Sequence, residues 1–340
     1  MSDRGENWTR RSFAGGLALA GTAGLFGLRP EPAAAEPPPE TTQVRILRIT
    51  DSTCVAPLYV AEDLLRAEGF VDVNYVRGSG GLRPPEQLAA GQADFAQDYV
   101  VQHIMRVDTG DKVVALAGMH PGCAELFVRD NIRSVRDLRG KTIGFPGVSE
   151  MSFGFLAAIL GYVGLDHRRD VQLAMRSRTD SVRLLAEGQI DGFFALPPHP
   201  QEMRARGIGR ALVNIGTDRP WSQYFCCMLI GRRDFVHKYP IATRRVVRAM
   251  LKATTLCARE PERAVERLTD EGIEYRRDHA LQALREIPFD RWREYDPEDT
   301  VRFYALRLRE AGLIKSSAQR IIAQGTDWRF FNELKRELKG

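Results

Sequence analysis

Hydrophobic and polar positions alternate with two periods along this chain, and the switches between them lay out its elements. Over 44–49 aliphatic side chains alternate with polar ones, which predicts a strand. Over 57–67 Leu58, Val60, Ala61, Leu64 and Leu65 fall on one helical stripe, so a helix follows. The same reading gives a strand over 71–76, a glycine cluster at 78–81, a helix over 85–90, a helix over 99–109 and a strand over 113–119. Short connections between alternating strands and helices make a mainly parallel sheet the economical solution.

The pattern then starts again, with strands over 126–129, 142–145 and 171–175 and a helix over 180–187. The segment Gly188-Gln189-Ile190-Asp191-Gly192-Phe193 echoes Gly91-Gln92-Ala93-Asp94-Phe95 at the same place in the pattern. Glycine after a helix is a routine cap, so the echo gains its weight from position. Two similar α/β lobes are expected. From 240 onward the chain turns helical, with an amphipathic helix over 244–257 whose Arg244, Arg245, Arg248 and Lys252 read as a solvated face. A further helix starts at Asp296-Pro297 and ends at Gly312, and a last packing helix covers 328–338.

Residues 137–152 stand out chemically. They read as the strand 142–145, a Pro146-Gly147 turn, and Ser149 as the cap of a helix over 150–160. Free backbone N–H groups at such a junction favour an anion or carboxylate, whereas Glu150 in the first turn would repel one. A plain strand-to-helix connection is the alternative. Open parallel sheets bind ligands beyond the carboxyl ends of their strands. Those ends are Ser52, Thr53 and Cys54; Gly78 and Ser79; Gln97 and Asp98; Gly147, Ser149, Glu150, Met151 and Ser152; and Pro197. Each has a structural alternative: Ser52 and Thr53 as helix caps, Gly78 as a turn residue, Asp98 as the cap of the next helix rather than a partner for an amine or hydroxyl. Trp221 and Tyr224 either pack a hinge or stack on a planar ligand.

Composition narrows the class. The chain has 340 residues, 44% of them hydrophobic, enough for two cores, and a net charge of +5 with arginines scattered among acids, which argues against a nucleic-acid partner. Arg10-Arg11-Ser12-Phe13, a glycine-rich apolar run and Ala33-Ala34-Ala35 form a twin-arginine (Tat) export signal over 1–35, followed by a Pro-rich spacer over 36–40. The five cysteines, Cys54, Cys123, Cys226, Cys227 and Cys257, include no CxxC pair, and no Cys/His pair marks a metal site in this reading. Buried free thiols are favoured over an oxidised pair such as Cys54 with Cys123. No nucleophile motif accompanies the six histidines, so no catalytic residue and no cofactor is expected.

Ala56-Pro57-Leu58-Tyr59-Val60-Ala61, Leu88-Ala89-Ala90-Gly91-Gln92-Ala93-Asp94-Phe95 and Asp137-Leu138-Arg139-Gly140-Lys141-Thr142-Ile143-Gly144, in this order, resemble the SsuA/THI5-like (NMT1) substrate-binding proteins of ABC importers, the nitrate/sulfonate/taurine group. The resemblance implies a type II periplasmic binding fold, with one lobe from 41–125 and 231–340, the other from 126–230, and two hinge crossings. It further implies a periplasmic monomer that carries a small polar or anionic molecule to ABC permease and ATPase subunits. A sensor or non-ABC carrier fits the same pattern. The family name also covers a pyrimidine synthase with a CCCFC motif, of which only Phe225-Cys226-Cys227 is present here.

Overall fold

Among the described residues, ten strands make two five-stranded sheets of matching topology. They are β1 (Gln43–Arg48), β2 (Asp72–Arg77), β3 (Phe95–Tyr99), β4 (Val113–Pro121), β5 (Glu125–Val128), β6 (Thr142–Phe145), β7 (Gln172–Met175), β8 (Gly192–Ala195), β9 (Arg210–Asn214) and β10 (Phe225–Arg232). The computed structural model describes residues 36–50, 52–78, 83–145, 152–273 and 275–338. The first sheet has the order β2-β1-β3-β10-β4 and the second β7-β6-β8-β5-β9. In each, three strands pair in parallel while the fourth position is antiparallel to both neighbours. That antiparallel strand is the first one the chain forms after crossing from the other sheet. The expected two-lobed α/β architecture with mainly parallel sheets is therefore present, each sheet holding one antiparallel strand.

The sequence echo has a physical cause. Gly91 and Gly188 take positive φ, +73° and +70°, to end a helix. Asp94 then accepts from the Arg45 backbone N–H at 3.1 Å, and Asp191 from that of Thr142 at 3.0 Å, so each carboxylate caps the start of the neighbouring parallel strand. Each also pairs with an arginine at the end of the antiparallel strand, Asp94 with Arg232 at 2.9 Å and Asp191 with Arg129 at 3.9 Å. The backbone repeats the tie, since Arg232 N–H donates to Asp94 O and Arg129 N–H to Asp191 O.

Three expectations change. The second crossing precedes β10, so the boundary drawn between 230 and 231 falls inside a strand of the first sheet. An apolar run of eight strand residues gave no sign of which sheet it joins. The helix expected over 150–160 is observed as Phe153–Tyr162, with Ser152 at its N-cap position making no side-chain cap; residues 146–151, and with them the proposed Ser149 cap, lie outside the described residues. Its residues through Leu160 are buried because the helix lies against Val100–Asp108 and Pro297–Glu310, with Phe155 meeting Tyr304 edge to face at 5.3 Å. The arginine face of Pro240–Arg259 is not simply solvated. Arg248 is buried and paired in a fork with Glu68, 2.8 Å from Nε to Oε1, and Arg244 reaches Glu333 and Glu337. The Asp296 cap holds as expected, its carboxylate accepting from the N–H groups of Glu298 and Asp299.

One buried histidine couples this packing to pH. His103, in Val100–Asp108, bonds the carbonyl of Gly325 at 2.8 Å, and a Cβ at Gly325 would stand 2.7 Å from Val107, so the two helices meet only through a glycine. Burial lowers His103 from 6.5 to about 4. A proton therefore binds the unfolded chain more readily than the folded one between these values, and stability is complete above 6.5 and falls as pH drops toward 4. The expected loss is about 3 kcal/mol, and His103→Gln should flatten that part of the curve. Urea unfolding of both forms between pH 4 and 7 checks it; parallel curves would refute the assignment.

Candidate ligand-binding site

β1 and β3 stop side by side at one edge of the first sheet, and most of the described candidates gather there. The chain leaving β1 is held by Tyr59, whose hydroxyl donates to Ile49 O at 2.6 Å and accepts from Ile49 N–H at 3.1 Å. It then makes a short 3-10 turn, Thr53–Val55. Ser52 caps that turn, its Oγ accepting from Cys54 N–H at 3.4 Å, while the same hydroxyl donates to Pro197 O at 2.9 Å. Thr53 N–H donates to the same carbonyl at 3.3 Å. Pro197 follows β8 of the second sheet. Ser52, Thr53 and Pro197 thus form a clasp between the two sheets' strand ends.

Beside the clasp, Gln97 is buried and its Nε2 donates to Cys54 O at 3.0 Å. Asp98 is buried next to it; the following helix starts after Tyr99 with no side-chain cap, so Asp98 is not its N-cap. Ile49, Cys54, Val55, Gln97, Asp98, Tyr99 and Cys227 enclose a chamber of about 10 Å³, room for about one water. Gln97 Oε1, on the chamber wall, and Thr53 Oγ1, one residue before Cys54, are buried without a hydrogen-bond partner among the described residues.

Other expected residues lie elsewhere. Gly78 follows β2 and lies against the Gln87 side-chain amide, where a Cβ would stand 2.7 Å from Nε2. Trp221 and Tyr224, on the second crossing, join an aromatic cluster: Tyr224 stacks on Phe303 at 4.0 Å and 12°, and Trp221 packs against Tyr162, Phe303 and Tyr304. They pack the crossing, the structural alternative named for them. Ser152 is buried, its carbonyl accepting from Phe155 N–H. Ser79, Gly147, Ser149, Glu150 and Met151 lie outside the described residues.

The structure adds a group that sequence reasoning missed. His120 of β4 and Tyr99 of β3 both register with Cys227 of β10, one row across three strands. A bulge at Cys226 and Cys227 breaks the ladder, so two successive thiols, normally on opposite faces, approach one cluster. Cys226 Sγ lies 3.5 Å from Cys123 Sγ and 3.9 Å from Cys227 Sγ, and Cys54 Sγ lies 4.0 Å from Tyr99 Oη. The Cys123 and Cys227 thiols, against burial and with help from His120, hold Cys54 well below the ordinary thiol value. Burial works against a charge on His120, but the Cys54 sulfur outweighs it and the imidazole is raised. The local signal was His120-Pro121-Gly122-Cys123, two donors three positions apart; Cys54 and Cys227 are too remote in sequence to be joined to it.

Comparison with known proteins agrees with this architecture. The family model NMT1/THI5 like matches residues 52–264, and the chain belongs to that family. A sequence search of curated proteins finds no match. Among solved structures, the alkanesulfonate-binding protein SsuA from Xanthomonas axonopodis pv. citri, bound to MOPS, superposes with a TM-score of 0.67 at 17% identity, covering 85% of this chain and 99% of that one. The periplasmic aliphatic sulphonate binding protein SsuA from Escherichia coli gives 0.67 at 18%, covering 85% and 94%. The periplasmic nitrate-binding protein NrtA from Synechocystis PCC 6803 gives 0.69 at 15%, covering 89% and 90%. With two open sheets of this strand order, the fold is that of a type II periplasmic binding protein.

The clasp makes a direct prediction. Ser52→Ala leaves the Pro197 carbonyl with the longer Thr53 bond alone and should cost about 1 kcal/mol in urea unfolding. The Thr53 amide should exchange with deuterium faster in the variant. Unchanged exchange and stability would show that the clasp holds nothing.

Proposed function

We propose that this protein is an exported receptor that captures a small polar or anionic organic molecule between its lobes and hands it to the permease and ATPase subunits of an ABC importer. It acts by binding and release, not catalysis. The observation that carries this reading is the clasp of Ser52 and Thr53 on Pro197 beside the buried side chains of Gln97 and Asp98, at the point where the strand ends of two open sheets meet. Ligand capture between lobes needs such a contact, made and broken as the lobes close and part. Membership of the NMT1/THI5-like family supports the reading, as do structural likenesses to sulfonate- and nitrate-binding proteins.

The matched sheets assign counterparts across the cleft. β6 holds in the second sheet the place of β1 in the first, so the segment that follows β6 corresponds to Ser52, Thr53 and Cys54. On that correspondence Gly147, Ser149, Glu150, Met151 and Ser152 contact the ligand from the second lobe, and Gln97 and Asp98 from the first. The lobes divide at the two crossings, with β10 in the first. Residues 1–35 act as the twin-arginine signal, and the mature receptor works in the periplasm.

Isothermal titration of the chain from residue 36 against alkanesulfonates, nitrate, carboxylates and pyrimidines tests this. One class is expected to bind with a dissociation constant on the order of 1 μM and to raise the melting temperature. Gln97→Ala is expected to weaken that binding about tenfold, or ~1.4 kcal/mol. Absence of binding and of any thermal shift across the panel would overturn the reading.

A further inference from the structure

Three cysteines and a histidine from three separate stretches of chain converge beside the clasp. One donor atom from each of Cys54, His120, Cys123 and Cys227 lies within 4.8 Å of all the others, and all four residues are buried. We propose that these four side chains form a closed Cys3His site for a thiophilic metal ion of the zinc class. Nothing in the receptor function requires it, and it stands or falls independently of the ligand.

The donor set and its surroundings carry the assignment. Tetrahedral zinc with bonds of about 2.0–2.3 Å holds its donors about 3.3–3.8 Å apart. The observed spread needs to contract by only about 1 Å. The histidine is already oriented. Its Nδ1 bonds Pro121 O at 2.6 Å, and a carbonyl only accepts, so Nδ1 carries the hydrogen and the Nε2 lone pair is the donor. Nε2 is buried and makes no hydrogen bond, an orphaned group that a metal ion would satisfy. The Phe289 ring, edge to face at 5.1 Å, holds the imidazole plane.

Access is also provided for. Cys123, the least deeply buried of the four, lines a groove of about 630 Å³ in which Glu125 and Glu286 pair with Arg204 and Asp218 lies close by. Binding forms three metal–sulfur bonds and releases to solvent the three protons that the three sulfurs and the imidazole share, leaving a site of net charge −1 with neutral His120. Sulfur and metal keep their oxidation states. The ion would tie the end of β1 to both crossings: His120 and Cys123 stand at the first and Cys227 just beyond the second. Cys226, 3.5 Å from Cys123, is the competing partner, since an S–S bond between them would remove one donor.

The test uses the mature chain, reduced and stripped with a chelator. Zinc competition against a chromophoric chelator is expected to give one equivalent bound, a raised melting temperature, and release of protons into weakly buffered solution. Cobalt(II) should give sulfur-to-metal charge-transfer bands and the intense visible bands of a tetrahedral site. Cys54→Ser, Cys227→Ser and His120→Ala should each weaken zinc at least tenfold, whereas Cys257→Ala, a buried thiol outside the cluster, should not. If the cluster variants fail to fold, the cobalt spectrum of the unaltered protein decides, because only thiolate ligation gives the charge-transfer bands. Reduced, folded protein that binds no zinc, that gives an octahedral cobalt spectrum, or that binds zinc equally well after cluster substitution overturns the proposal. So does protein that isolates with a Cys123–Cys226 disulfide and takes up no zinc after reduction.

Discussion

Strand β10 holds the first half of the molecule together. It pairs antiparallel with β3 along one edge and with β4 along the other, so without it β4 has no strand partner in the sheet. The chain reaches it only after building the second sheet. The first core is therefore completed by a segment that must return, whereas the second sheet starts from its antiparallel strand, β5, and its other strands follow. Each half buries its core by accepting a strand across the crossing, which makes the two crossings structural necessities and fixes where the strand ends of the two sheets face each other.

The chemistry of the site follows from that placement. Because β10 enters between β3 and β4, Cys227 comes into one row with Tyr99 and His120, and its bulge brings Cys226 toward Cys123. Because β1 neighbours β3, the turn after β1 sets Cys54 at the end of that row. The same turn carries Ser52 and Thr53 to the carbonyl of Pro197 from the other sheet. One edge thus holds a clasp, a small chamber and a thiol–imidazole cluster. In a low-dielectric interior these groups strongly perturb one another, which is why Cys54 and His120 move in opposite directions.

Periodicity made most of the elements legible. The strand at Thr142–Phe145 matches its expected bounds, and β1, β2 and the helix at Pro297–Glu310 lie within a residue or two. The Gly-Gln-x-Asp echo pointed to two matching halves because the same cap and the same carboxylate perform the same task in each. Burial by remote elements was harder to read. Arg248 looked solvated because its partner, Glu68, lies 180 positions away, and the choice between packing and stacking stayed open for Trp221 and Tyr224 because Phe303 and Tyr304 come from a helix much later in the chain.

Local order along the chain determined the two-lobed α/β class, where most of the strands end, and the family to which the chain belongs, because hydrophobic period, turn residues and caps act over a few residues. Only the tertiary structure decided which sheet receives β10, that Ser52 and Pro197 bind each other, and that Cys54, His120, Cys123 and Cys227 meet. Those outcomes depend on which strands lie side by side after the chain has crossed twice. No spacing within the sequence encodes a distance between positions 54 and 227; the sheet order does.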